Sequence, residues 1–358
     1  MDKKAALKLI ESLSNANGPS GYEDEVRDVV KQFGNGFADV TSDPMNNVYL
    51  KHHGNSGRKE KTLMIDSHLD AVGLVVQAVK PNGTIKFVQL GRWVPANLTA
   101  EKMRIRNRAG KWVTGLVATK PPHFMTEAEK KAPIENDHLV IDVGTNSAEE
   151  TKQQLLIDTG CPIVPDTQWE YWEQQDVMMG KAFDNRIGTS ALLTTMHDLA
   201  DEKLDYNLVG AVAAQEEVGL RGAEVTIKKV HPDIAICLEG CPADDTFTPE
   251  WLIQTGLKRG PMLRDMDTSF IADPEFQAFT VATAEGAGIP YTRAVRTGGG
   301  IDGAALQQYQ GIPTICIGIP VRYEHTNYGI VAYSDFENTV KLLKALIAAL
   351  SAEKIAAF

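Results

Sequence analysis

The chain has 358 residues, 43 % of them hydrophobic and 23 % charged, with a formal net charge of -11. This is the make-up of a globular protein of one large or two medium domains, and its acidic balance disfavours nucleic acid and anionic membranes as partners. No apolar run reaches the length of a membrane span, the opening MDKKAALKLIESLSNANGPSG lacks the apolar core of a signal peptide, and the four cysteines form no CxxC pair, which points to a reducing cytoplasm without disulfides.

In chain order, the N-terminal segment predicts two helices. The second opens on a capping-box pattern, Ser20 to Glu23, followed by Val26, Val29 and Val30 at helical spacing. VTSDPMNNVYLKHHG predicts a strand with turns, and KTLMIDSHLD a short buried strand, Thr62 to Ile65, running into polar residues. The texture then changes. GLVVQAV-KPNG-TIKFVQL, EKMRIRN-RAG-KWVTGLVA and HLVIDVG are short alternating strands joined by glycine-bearing turns, the pattern of hairpins. Residues 74–164 therefore read as a small, barrel-like β domain inserted into a catalytic domain made of 1–73 and 165–358. From Met179 onward RIGTSALLTTMHDLA predicts a helix, and YNLVGAVAAQEE, DIAICLEG and IPTICIGIP predict buried strands. SDFENTVKLLKALIAAL predicts a closing helix with a second capping box, Ser334 to Glu337. Buried strands alternating with helices indicate an α/β fold, a mainly parallel sheet with helices on both faces.

Ligands of open α/β sheets bind beyond the carboxyl ends of the strands, and those positions here are rich in donors. After TLMI come Asp66, His68 and Asp70; after VGAVAAQ come Glu216 and Glu217; after DIAICL comes Glu239; beyond ICIGIP comes His325; and Asp184 precedes the long helix. Imidazole with carboxylate suits zinc, cobalt or manganese. Each piece alone has a plainer reading: HxD as a surface turn, paired glutamates as a solvated end, Asp184 as a helix cap. Their joint occurrence on strands expected to be neighbours favours the metal reading. Cys237 and Cys241 flank Glu239 and read as small buried hydrophobes.

The segments SGYEDEVR, DSHLDAVG, GKAFDNRIG, QEEVGLRGA, GGGIDGA and YEHTN occur in this order through the chain. Together they resemble the dinuclear metallo-aminopeptidases of the tetrahedral TET type, a family that includes deblocking, glutamyl and leucyl aminopeptidases and some chains labelled endoglucanase. The resemblance implies that one metal takes His68, Asp184 and Glu239, and the other Asp184, Glu217 and His325, with Asp184 bridging. It implies Glu216 as general base and Asp70 as the residue that orients His68. It places the turn with Gly299, Gly300 and Asp302 near the substrate; this turn lacks the GK[ST] continuation of a phosphate loop. His123, in the inserted domain, is a further pocket candidate. The resemblance also implies peptide substrates and a homo-oligomer in which the inserted domain pairs subunits and six dimers close into a dodecamer; a lid is the alternative role for that domain.

Elementary chemistry agrees with this set. Neighbouring side chains on a strand point opposite ways, so Glu216 and Glu217 are expected to serve different groups. Two divalent ions are balanced by Asp184, Glu217, Glu239 and a hydroxide. Two departures from the family pattern stand out. Glu239 occupies a position where the family has aspartate, and Asn46 one where it has glycine; asparagine tolerates left-handed backbone, so the turn is expected to survive. The rival readings are a two-metal deacylase acting on N-acyl amino acids, a glycoside hydrolase, which needs two carboxylates flanking the bond and no metal, and a non-catalytic scaffold. The preferred N-terminal residue and the choice of metal are not legible in the sequence.

Overall fold

The computed structural model describes residues 1–55 and 60–358. An eight-stranded sheet forms the body. Its strands lie in the order Ala38–Ser42, Val48–His52, Asn207–Ala213, Thr62–His68, Ile234–Pro242, Thr314–Val321, Met262–Met266 and Thr292–Val295. Thr62–His68 pairs in parallel with Asn207–Ala213 on one side and Ile234–Pro242 on the other, and Ile234–Pro242 pairs in parallel with Thr314–Val321. These strands are almost wholly buried because both faces are covered, so they read as continuous apolar runs rather than alternating ones. The sheet turns antiparallel where Val48–His52 meets Asn207–Ala213 and where Met262–Met266 meets Thr314–Val321, and the outermost pair, Met262–Met266 with Thr292–Val295, is parallel again.

One face packs Leu63, Ile65, Leu238 and Ile317 against the helices Lys3–Asn15, Phe183–Asp198 and Tyr333–Ala349; the other packs Met64, Ala211 and Cys237 against Arg221–Val230 and Asp302–Gln308. Among the described residues no helix is long and apolar enough to cross a membrane.

Strands Gly73–Val79, Ile85–Leu90, Val140–Asp142, Trp112–Ala118, Lys102–Arg106 and Pro162–Pro165 close a barrel around Leu74, Val76, Phe87, Ile105, Val117, Ile141 and Ile163. The fold is thus the mixed α/β sheet with a small β-barrel that the sequence predicts. Glu170–Trp172, Val177–Gly180 and Gly329–Ala332 add a small three-stranded sheet.

Two local expectations need correction. The second helix is Asp24–Gly34, and Ser20 does not cap it: its hydroxyl donates to Asp70 Oδ2 at 2.6 Å, while Glu23 accepts from the Gly21 N–H. The closing helix begins at Tyr333, so Ser334 lies inside its first turn and makes no cap. The preceding strand runs straight into this helix and the Tyr333 N–H donates to the Asp176 carbonyl, which leaves a side-chain cap no task. Asn46 does hold the left-handed turn, with φ 77°.

Candidate metal centre at the strand ends

Because the central strands are parallel, their carboxyl ends gather at one edge of the sheet. His68 ends Thr62–His68 and is fully buried. Its Nε2 lies 3.1 Å from Asp184 Oδ1 and 3.1 Å from Glu239 Oε1, and its Nδ1 lies 3.0 Å from the Asp70 carbonyl. The Asp70 carboxylate stands slightly further off, at 3.5 Å. It also accepts from Ser20 and from the backbone N–H groups of Glu216 and Glu217, at 2.9 and 3.2 Å. Asp70 therefore orients His68 and the glutamate turn together.

Asp184 sits at the start of Phe183–Asp198 with non-helical backbone, φ -81° and ψ 107°. Its two oxygens divide between the histidines, Oδ1 toward His68 and Oδ2 toward His325 at 3.0 Å. Asn185 beside it donates to the Leu238 carbonyl at 2.7 Å, which ties this helix start to the strand that carries Glu239. Gly240 permits the approach: a Cβ there would stand 2.8 Å from the Asp184 Cα.

Glu216 and Glu217 face different histidines, as expected, but for another reason. The strand ends at Ala213 and Gln215 is left-handed, φ 58°, so the two glutamates lie on a turn rather than on a pleat. Glu216 Oε2 is 4.0 Å from His68 Nε2, and Glu217 Oε1 is 3.4 Å from His325 Nε2. Two compact donor groups result, His68 with Glu216 and Glu239, and Asp184 with Glu324 and His325. Glu324 was not singled out by sequence reasoning. It lies beside His325 in YEHTN, where a neighbouring acid reads as a solvated turn residue, yet its Oε2 is buried without a hydrogen-bond partner.

Burial raises Glu216 and Glu239 well above the usual carboxylate range, and neighbouring carboxylates add to this. Burial would raise Asp184 too, but hydrogen bonds from His325 and His68 hold it well below that range. Burial lowers the His325 ring, but Asp184 and Glu217 more than offset this and carry it up to about 12. Six carboxylates, Asp70, Asp184, Glu216, Glu217, Glu239 and Glu324, thus converge on two imidazoles. Among the described residues they find histidines, backbone amides and the Ser20 hydroxyl, not lysine or arginine, and Glu239 Oε2 is buried without a hydrogen-bond partner. A buried excess of oxygen donors of this kind fits divalent cations.

The donor groups open on a cavity of about 650 Å³ also lined by Gly299, Gly300, Arg92, Phe247 and Tyr323. Asp302, in the first turn of Asp302–Gln308, is fully buried beneath it; neither of its oxygens has a hydrogen-bond partner, and burial pushes it up to about 7. Asp66, on the same face as Met64 and His68, is equally buried and unpartnered. His123 lies on an exposed turn of the barrel, Pro122–Phe124, and does not line the cavity.

The model of the M42 glutamyl aminopeptidase family matches residues 46–342. The chain belongs to that family. This M42 chain is therefore a peptide-bond hydrolase with candidate metal-binding groups. It is 30 % identical over 351 residues to the glutamyl aminopeptidase of Lactococcus lactis, covering 97 % of each chain. Among solved structures, a TET aminopeptidase from a marine-sediment thaumarchaeon superposes with TM-score 0.94 at 32 % identity, covering 99 % of both chains. The TET1 peptidase of Pyrococcus horikoshii superposes with TM-score 0.86 at 26 % identity, covering 96 % of this chain and 100 % of that one. That protein is described as assembling into a tetrahedron or a large octahedral shell, and has been solved as a dodecamer.

Proposed function

We propose that this protein is a two-metal aminopeptidase that removes the N-terminal residue of peptides, with Glu216 as general base. The observation that carries the reading is the spacing of the donors: Asp184 reaches both histidines, and the adjacent Glu216 and Glu217 divide between them. His68, Asp184 and Glu239 would hold one divalent ion, and Asp184, Glu217 and His325 the other, with Glu324 as an added donor beside His325. Zinc or cobalt suits the set best and manganese is compatible with it. When bound, the pair supplies polarisation of the scissile carbonyl and acidification of a water.

The protein's own part is proton handling and orientation. Glu216 takes the water proton on its carboxylate and returns it to the leaving amine. Asp70 holds the His68 ring through Nδ1 and fixes the Glu216–Glu217 turn through both backbone N–H groups, so the base keeps its aim. Gly299 and Gly300 offer backbone to the substrate, while Asp302, buried and outside the cavity lining, would act indirectly. Residues 1–73 and 165–358 form the catalytic unit in this reading, and 74–164 the inserted unit that pairs subunits, with dodecamer as the assembly. The four free cysteines support a cytoplasmic setting.

The test is a hydrolysis panel. Metal-stripped protein, reloaded with Zn²⁺, Co²⁺ or Mn²⁺, is offered free-amine aminoacyl substrates and their N-acetylated forms. Metal-dependent release from free amines alone is expected; cleavage of the acetylated forms instead would make the protein a deacylase with the same core. Light scattering should report a particle far larger than a monomer.

A further inference from the structure

Three arginines line the cavity that holds the donor groups, Arg92, Arg264 and Arg296. Two are committed. Arg264 is buried, with Nη1 donating to Asp267 Oδ2 at 2.8 Å and Nη2 to Cys241 Sγ at 3.1 Å. Arg296 donates to Asp244 Oδ2 at 2.9 Å, to the Pro242 carbonyl at 3.3 Å and to Thr255. Arg92 is exposed, and among the described residues its guanidinium has no hydrogen-bond or ion-pair partner.

The side chain is free, but its root is fixed. Gly91 has φ 79°, and a Cβ there would stand 2.7 Å from Val72 and 3.1 Å from Glu217 Oε2, so the backbone passes directly over that glutamate. Trp93 is buried on the other side, and its Nε1 donates to the Gly73 carbonyl at 3.2 Å. The end of the barrel strand Ile85–Leu90 thus presents one uncommitted cation at the mouth of the site.

Charge makes this position matter. Two divalent ions, when bound, would be balanced by Asp184, Glu217, Glu239 and a hydroxide, which leaves no positive charge over for a further carboxylate beside Glu216 and Glu324. A peptide bringing a further carboxylate into the cavity meets repulsion there, and among the described residues that line it Arg92 is the uncommitted group able to offset it. A guanidinium forks naturally onto a carboxylate.

We propose that Arg92 is the receptor for a carboxylate of the peptide substrate. The inference rests on the aminopeptidase reading and deepens it. The carboxylate has two possible sources: the side chain of an acidic N-terminal residue, or the C-terminus of a dipeptide.

Paired substrates separate them. Wild type, Arg92→Gln and Arg92→Lys, all metal-loaded, are compared on glutamyl against glutaminyl p-nitroanilide, and on Leu-Gly against Leu-Gly-amide. Arg92→Gln should lower kcat/KM about 10- to 100-fold on the charged member of one pair, mainly through KM, and leave its neutral partner unchanged; Arg92→Lys should keep part of the activity. Loss confined to the glutamyl substrate identifies the side chain, and loss confined to Leu-Gly identifies the C-terminus. Equal effects on both members of each pair, or none, overturn the proposal while the aminopeptidase reading stands. A wild type that cleaves none of the four but releases other N-terminal residues overturns the proposal alone, and one silent on the whole free-amine panel overturns both.

Discussion

The α/β body and the β-barrel are built from the same material, short strands of valine, isoleucine and leucine, yet among the described residues only the body gathers donors. In the body the central strands run parallel, so their carboxyl ends share one edge, and His68, Asp184, Glu216, Glu239 and His325 converge there from distant parts of the sequence. In the barrel every pairing is antiparallel, so successive strand ends alternate between rims and no common edge forms. Between residues 73 and 165 the buried polar set is Thr151 alone among the described residues, whereas the body buries many charged groups. Strand direction, more than composition, decides where chemistry can be assembled.

Glu216→Gln should cut turnover about 10³-fold or more, because it removes the proposed proton carrier but keeps the shape. Elemental analysis should find metal content unchanged; full activity in this variant would sink the base assignment. Asp184→Asn weakens the group shared by both histidines, so metal content should fall at both positions and activity with it. Loss of one ion with the other retained would show that Asp184 does not bridge.

A change in the barrel should behave differently. Ile105 is fully buried in its core. Ile105→Ala should cost about 2–5 kcal/mol in urea unfolding, with metal content per folded chain unaltered. A coupled loss of metal would mean that barrel and site are not separable.

The smallest expected effect is a titration. Burial raises Asp335, in the first turn of the closing helix, to about 6, although the Lys258 and Gly260 N–H groups donate to it. The folded state therefore favours the protonated form. That contribution is full below about pH 4 and is lost as pH rises through about 6, amounting to about 1 kcal/mol after allowance for residual solvation. Urea midpoints of Asp335→Asn should vary less than those of wild type between pH 4 and 7. Identical profiles would remove Asp335 as the cause. The barrel interior, without a buried carboxyl among the described residues, should show no such response.

Much of this was legible beforehand because it depends on local pattern. Apolar runs such as LVGAVA and IAICL, five or six residues long and rich in β-branched side chains, fit strands covered on both faces, and hairpin turns such as KPNG and RAG mark the barrel. What was missed depends on partners remote in sequence. Pro162–Pro165 closes the barrel, but two prolines in four residues argue against a strand when read locally, since proline lacks the donor a ladder needs. Ser20 matched a capping pattern, yet its hydroxyl goes to Asp70, fifty residues away. Glu324 gave no signal at all, because burial of a turn is a property of what packs over it.

The sequence by itself determined the fold class and the list of donors, since hydrophobic pattern sets which segments must be covered and residue type sets which atoms can bind a metal or move a proton. Only the tertiary structure decided how those donors divide: Asp184 between two histidines, Glu216 and Glu217 to opposite sides by a left-handed turn, Arg264 and Arg296 into ion pairs with Arg92 left free. The physical reason is that metal and proton chemistry depend on separations of a few ångströms, and such separations are set by the packing of segments that the sequence keeps far apart.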